Sequence, residues 1–545
     1  MNNSDFNRFS RNPVTLDISR SIFNRPHKML FSANVGELIP FYVNQNVLPG
    51  DTYKIVTNKV VRMQPLVTPV ADDLFLDTMY YFIPNRLVWS HWKEFMGENT
   101  ASAWTPSVSY TIPQITVPSG GFAVGTIADY MGIAPKLGAG KTVSALPFRA
   151  YALVCTEWFR DQNLMNPVHV HVDDTTRTGV NTGDQVTDIE LGGKPFIVCK
   201  THDYFTSCLP GPQKAQGPQV EFALNGLLPV NAYSNKSNIK AGDTQNTNFG
   251  ALSYLKDANP YSTPSDHDIG VFNGVTISTN QTLGSAVEYL TPNNLFADLN
   301  NTSIFDINSL RQAFAIQRYY EKLARGGSRY TESILAFYGV HSPDARLQRP
   351  EFLGGSRLPL NISQVEQTSA TQTGLTPQGN LTGISHTGES SNDVMWSATE
   401  DGILLGVCCV RYAHTYQQGV NRAWFRKTLF DFYNPTMANL GEMTVMEDEI
   451  YFGSTNNNVF GYQSAWEDYR SVPNRVAGEM RSAATTPLDM WHFADNYTSQ
   501  PYLSDSWIRE DKSNVDRCLA VTSAVSNQYI ADFYIQEEAA RPGIE

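Results

Sequence analysis

The sequence predicts an all-β chain, a sandwich of antiparallel strands in which long loops carry the elaboration. Three observations point there. Segments rich in β-branched and aromatic residues lie near both termini, at "ELIPFYVNQNVLPGDTYKIVTNKVVRM" and "CLAVTSAVSNQYIADFYIQ". Only one long helical pattern interrupts the strand-like runs. Charged residues make up 17% of the chain, below the roughly 25% usual for soluble domains. Its polar surface must therefore come from Asn, Thr, Ser, Gln and Gly, the residues of loops.

The bulk numbers bound the function classes. A length of 545 residues allows two to four average domains or one large elaborated one. With 41% apolar residues, the chain can bury a sizeable core. A net charge of -13 argues against a protein that reads nucleic acid as a free monomer, though a local basic arm remains open. The six cysteines include no C-x-x-C pair and are too few for a disulfide framework, so assembly in a reducing cytosol is expected. The N-terminal "MNNSDFNRFSRNPVTLDISRS" has no apolar stretch of the secretory kind. No window approaches the roughly 18 apolar residues of a membrane-spanning helix.

Residues 1–28 read as a basic arm without autonomous structure. Arg8, Arg11, Arg20, Arg25 and Lys28 outnumber Asp5 and Asp17, and no helical or alternating period appears. Strands begin near Met29. A turn at Pro49-Gly50-Asp51 separates two of them, and "DDLFLDTMYYFIP" supplies a third. "LVWSHWKEFMG" reads as a short helix stopped by Gly97. Residues 29–180 thus form a first block of strands with a helical loop. From about Asn181 the composition shifts, and residues 181–300 read as a long insertion of short strands and loops.

Order returns at "NSLRQAFAIQRYYEKLARGG". Leu310, Ala313, Ile316, Tyr320 and Leu323 share one helical face, and Arg311, Arg318, Lys322 and Arg325 lie on another. A shorter helix is expected over Thr331 to Tyr338. Residues 361–398, rich in Thr, Ser, Gln and Gly, read as a long loop. "GILLGVCCVRYAHTY" is apolar at successive positions and predicts a strand buried on both faces. The last predicted strand begins at Cys518. Residues 301–545 therefore combine a helical connection, the remaining strands and loops.

The chemical motifs fail one by one. The run from Ala324 to Arg357 has two Gly-Gly pairs among arginines and suggests a phosphate cradle. Such a cradle precedes a helix, where N–H groups and the positive dipole end face the anion. Here the first pair follows a helix, so Gly326-Gly327 reads as a helix stop and Arg325 as a C-terminal cation. "HVHVDD" would place His169, His171 and Asp173 on one strand face as weak metal-ligand candidates. A cupin-like set would need a Glu where Thr175 and Thr176 stand. No G-x-S-x-G or H-E-x-x-H occurs. Glu447, Asp448 and Glu449 lack calcium-loop spacing and read as a solvated or interface rim. No catalytic residue, cofactor or enzyme activity is expected. Arg325, Arg329, Arg346, Arg349, Trp424, Phe425, Trp466 and Trp491 are the candidate subunit-interface residues, because interfaces enrich Arg and aromatic side chains. Two other readings stay open: a monomeric carbohydrate-binding β-sandwich with residues 181–300 facing sugar, and a metal-dependent jelly-roll enzyme using His169 and His171.

Several long runs carry a resemblance. "LRQAFAIQRYYEKLARGGSRYTESILAFYGVHSPDARLQRPEFLGGSR" (310–357) and "RYAHTYQQGVNRAWFRKTLFDFYNPTMANLGE" (411–442) resemble major capsid proteins of the microviruses (Microviridae), gokushovirus branch. "FGYQSAWEDYRSVPNRVAGEMRS" (460–482), "LDMWHFADNY" (488–497) and "SRSIFNRPHKMLFSANVGELIPFYVNQNVLPGDTYKI" (19–55) are similar to further segments of the family, in family order. The likeness covers about residues 20–165 and 301–540, and the family varies over 181–300.

The resemblance implies a single eight-stranded antiparallel jelly roll of viral capsid type with long loop insertions and a few short helices. It implies a closed icosahedral shell of sixty copies around circular single-stranded DNA, assembled in the bacterial cytoplasm and found in the virion. Residues 181–300 would then form a surface protrusion for host attachment. Arg8, Arg11, Arg20, Arg25 and Lys28 would face packaged DNA through its phosphates. Further partners implied are a small basic DNA-binding virion protein, a pilot protein and a host surface receptor, with a glycan among its candidate chemistries.

Overall fold

Two antiparallel sheets carry the architecture of the computed structural model. It describes residues 18–98, 109–215, 307–369, 378–438, 440–453 and 457–543, with the course of the short strands 227–229, 254–256, 290–292 and 296–298. The chain divides into two compact units, Met1–Lys214 with Glu321–Glu545, and Ala215–Tyr320. In the second unit, Tyr254–Lys256 pairs with Leu290–Pro292 and Leu227–Pro229 with Phe296–Asp298.

The main strands, all in the first unit, are β1 (Arg20–Asn24), β2 (His27–Ala33), β3 (Ile39–Val47), β4 (Thr52–Met63), β5 (Leu74–Pro84), β6 (Glu351–Leu360), β7 (Thr387–Ser397), β8 (Gly402–Tyr412) and β9 (Tyr529–Pro542). In the first sheet, β1 and β2 both pair with β9, followed by β4 and then β7. The second sheet runs β6, β5, β8, β3. Three helices matter below: α1 (Leu146–Val154), α2 (Ile307–Gly326) and α3 (Tyr330–Tyr338).

Side-chain alternation explains how the sheets stack. On β4 and β9, Tyr53, Ile55, Val61, Ala531, Phe533 and Ile535 point inward and are buried. Between them Lys54, Arg62, Ile530, Tyr534 and Glu538 stay exposed. Phe533 of the first sheet meets Phe41 of the second edge to face, with ring centroids 4.9 Å apart. The interior also holds the cation of Lys59. Lys59 donates to Thr78 at 2.7 Å and lies 3.7 Å from the Asp393 carboxylate. Burial pulls the Lys59 pKa down, and Asp393 and Glu389 oppose that shift.

The second sheet is covered on both faces. Leu404, Cys408 and Val410 of β8 face the first sheet, and Ile403, Leu405, Val407 and Cys409 face a second core built on α1. Helix α1 is buried almost throughout, and its Tyr151 hydroxyl donates to the Leu38 carbonyl at 2.6 Å. The vicinal cysteines thus serve two different cores, and all six thiols are free.

Several sequence expectations change. Pairing begins at Arg20, inside the expected arm, because β9 supplies a partner for β1 and β2 that local composition cannot reveal. The expected loop 361–398 contains a hairpin, Ile362–Glu366 with Leu381–Ser385, and all of β7. The last strand starts at Tyr529, not Cys518. Cys518 is buried within a turn instead, and Leu519 is buried in an isolated bridge to Leu66. The helix expected at "LVWSHWKEFMG" is two separate single turns, Asn85–Val88 and Trp92–Phe95. Both later helices form as expected, with Gly327 at φ +89° just past α2. The short strand expected within "GVFNGVTIST" lies outside the described residues.

Candidate interaction surfaces

His171 and Asp173 of the histidine pair's segment are drawn to separate partners. His169 and His171 have ring centroids 5.9 Å apart, and His171 is taken by a contact with the buried Glu190 carboxylate. Asp173 turns to Arg177, with contacts of 2.7 and 2.8 Å, and this pairing holds its carboxyl well below the usual range. Arg149 also approaches Asp173, at 3.5 Å. Among the described residues, no group of three His, Cys, Asp or Glu side chains is placed to hold a metal ion.

The first Gly-Gly pair borders a cavity of about 560 Å³ whose lining includes Arg160, Lys200, Arg325, Arg329 and Arg411. Four of these cations are already answered by carboxylates. Lys200 pairs with Asp495 at 3.3 Å and Arg329 with Glu332 at 3.2 Å, while Arg325 meets Glu442 and Arg411 meets Asp77. The arginines therefore tie loops together inside the subunit. Arg329 also donates to the carbonyls of Thr156 and Arg160, at 2.9 and 2.7 Å. Arg349 stacks over the Trp158 ring at 3.9 Å and donates to the Thr331 hydroxyl at 2.9 Å.

Of the basic arm, Arg8 and Arg11 lie outside the described residues. Arg20 is exposed on β1. Arg25 pairs with Glu537 at 3.4 Å and Lys28 with Asp532 at 2.7 Å, both on β9. Two of the expected DNA-facing cations are thus engaged in holding the edge of the first sheet. The exposed Lys28–Asp532 pair contributes little to stability, typically below about 1 kcal/mol, whereas the Glu537 carboxylate facing Arg25 is buried.

The expected interface residues separate into two groups. Trp466 is buried, and its indole N–H donates to the Met437 carbonyl at 3.0 Å. This corrects its place in the expected set: its ring packs within the subunit, against Tyr433 and Tyr469. Trp491 and Phe425 are half-buried, and Phe425 packs against Phe452 at 6.1 Å. Trp424 and Arg346 are exposed. Leu429 and Phe430, within the aromatic-rich run 421–435 that the sequence suggests for packing against a neighbouring copy, are large and mostly exposed, and so are Tyr330 and Tyr338, which the sequence expectation did not single out. Their signal was present: apolar side chains in a segment whose neighbours are charged or turn-forming.

The buried chemistry is structural in character. His414 lies between Asp495 at 3.1 Å and Glu510 at 2.9 Å, with Asn514 donating to Asp495 at 2.6 Å. Burial alone would lower the His414 pKa, but Glu510 and Asp495 reverse this and raise it to about 9. The imidazole is thus a cation at neutral pH, clamping loops from three parts of the chain.

Comparison with known proteins places these features in a family. Residues 13–543 match a phage family described as capsid protein (F protein). The chain is 41% identical over 544 residues to the capsid protein VP1 of Spiroplasma virus 4, covering 99% of this chain and 96% of that protein. It is 35% identical over 584 residues to the capsid protein VP1 of Chlamydia phage 1, covering 98% and 96%. It is also 35% identical over 532 residues to the capsid protein VP1 of Bdellovibrio phage phiMH2K, covering 96% and 94%.

Proposed function

The chain belongs to the phage capsid protein (F protein) family, a structural capsid subunit of a small phage and a component of its virion, and from that premise we propose how it acts. Sixty copies build a closed icosahedral shell around single-stranded DNA. The observation that supports this reading best is the order of strands in the two sheets. If β1 and β2 count as one strand interrupted at Pro26, each sheet has four strands, in the arrangement of an eight-stranded jelly roll. Such sandwiches present loops from both ends, which suits tiling by large self-complementary surfaces.

In this reading the role is structural rather than catalytic. Exposed Arg346 and Trp424 are the remaining candidates for contacts between copies, joined by the apolar tips near Trp424. Packaged DNA is held through its phosphates by the N-terminal arm, with Arg8, Arg11 and the exposed Arg20 as its cations. Of the expected insertion 181–300, residues 181–214 belong to the first unit and bury Phe196 and Val198 in its core; the remainder forms an outward protrusion that meets a host surface receptor, and a glycan is the receptor chemistry to test first. A small basic virion protein and a pilot protein complete the particle.

Electron microscopy of the purified chain tests the central claim. Closed shells of uniform diameter with sixty-copy symmetry are expected. A chain that stays monomeric under mild conditions, with no particles in infected lysate, overturns it.

A further inference from the structure

The loop from Asn421 to Tyr433 satisfies its polar atoms by local hydrogen bonds and turns its apolar tips outward. Asn421 accepts from the Ala423 amide at 2.9 Å, and Asp431 accepts from the Lys427 and Thr428 amides at 2.8 and 2.6 Å. Arg426 is pinned between Asp468 and the Tyr469 ring, which it overlies at 4.4 Å. The Tyr433 amide donates to the Tyr469 hydroxyl at 3.2 Å. A loop held this firmly still exposes Trp424 by 80%, Leu429 by 81%, Phe430 by 75% and Phe432 by 50%. Aromatic side chains bury about 150–250 Å² each when covered, so the exposed tips amount to roughly 500 Å². That is near the top of the range for single patches on monomers and more than half of the roughly 800 Å² each partner gives to a standard interface.

Beside this ridge lies a hole. A cavity of about 260 Å³ is lined by Tyr204, Phe205, Tyr416, Val472 and Arg475, with Trp424 at its edge. It is smaller than the roughly 300–1,000 Å³ of small-molecule pockets and suits one or two inserted side chains. Ridge and hole adjoin, since Asn421, Arg422 and Trp424 at the start of the loop also line the cavity. Two copies facing each other across a twofold axis can each fill the other's hole, which is the defining property of an isologous contact.

We infer that the 421–433 ridge and its adjoining cavity form a twofold contact between two copies of this chain, with Leu429 and Phe430 of one copy entering the cavity of the other. The inference rests on the capsid reading and goes further by assigning the residues and the symmetry. Preorganisation of the loop supports it, because little conformational entropy is lost when a rigid ridge docks.

Disulfide trapping in assembled particles tests it. The double variant Phe430→Cys/Val472→Cys places one thiol on the ridge and one at the exposed mouth of the cavity. Mild oxidation should convert the subunits to disulfide-linked dimers and stop there, because each pair closes on itself. A ladder of trimers and higher species means a head-to-tail contact and overturns the inference. So does a product that remains monomeric, or one linked to a different polypeptide. A second variant, Phe430→Asp, should melt like the parent chain, since the side chain is exposed, while dimer affinity falls by roughly thirtyfold or more, as for interface hot spots. Normal assembly of Phe430→Asp particles overturns the inference equally. Failure of the parent chain itself to form particles would count against the capsid reading instead.

Discussion

At the scale of single residues, the buried charges make the sharpest statements. His414 has a folded pKa of about 9, above the roughly 6.5 of an unfolded histidine. Its stabilising contribution is therefore complete below pH 6.5 and is lost as pH rises through 9. The size is on the order of 3 kcal/mol. Calorimetry should show the melting temperature falling between pH 6.5 and 9.5, and the fall should flatten in His414→Gln. An unchanged slope in that variant would assign the effect to another group. Lys59 makes the complementary case. Lys59→Met strands the Asp393 carboxylate, whose side chain is 1% exposed, and should cost about 3–5 kcal/mol. Urea titration should find a smaller loss in the Lys59→Met/Asp393→Leu pair, because both charges then leave together.

At the scale of elements, close approach between strands explains a motif that resembled chemistry. The second Gly-Gly pair, Gly354-Gly355, lies on β6 beside a register shift in its pairing with β5. A Cβ on Gly355 would stand 2.2 Å from the Thr78 carbonyl oxygen, and one on Gly354 would stand 2.1 Å from that of Asp393. Gly355→Ala should therefore destabilise by about 1–3 kcal/mol or more through forced separation of β5 and β6, seen as a lower urea midpoint with an unchanged m-value. The same strands show what was legible. β8 could be read directly, because both its faces meet apolar cores. β7 could not. Its outward positions Gly388, Ser390 and Asn392 are exposed, while inward Glu389 and Asp393 answer Lys59. With polar residues on both faces, no alternation remains to be read. Among the site residues, composition placed aromatics at the surface in general but could not separate Trp424 from Trp466. That distinction depends on a backbone turn at Trp466, with φ +63°, and on a carbonyl partner 29 positions away.

At the scale of the whole molecule, assembly, genome retention and attachment should separate by region. Deleting residues 1–17 spares β1 and should leave shells intact while lowering the DNA they retain, measured by absorbance ratio of purified particles. Exchanging residues 225–285 for a short linker should abolish host adsorption and preserve particles; loss of particles would make the insertion an assembly element. The position of β9 carries a last consequence, in time rather than space. It lies between β4 and the β1–β2 edge, yet it is synthesised after every other main strand. At about 5–20 residues per second, β1, β2 and β4 wait on the order of tens of seconds for their common partner. During that interval the first sheet is open at its middle, and no nascent chain can present a finished face to its neighbours. One late strand thus sets the earliest time at which the first sheet can close.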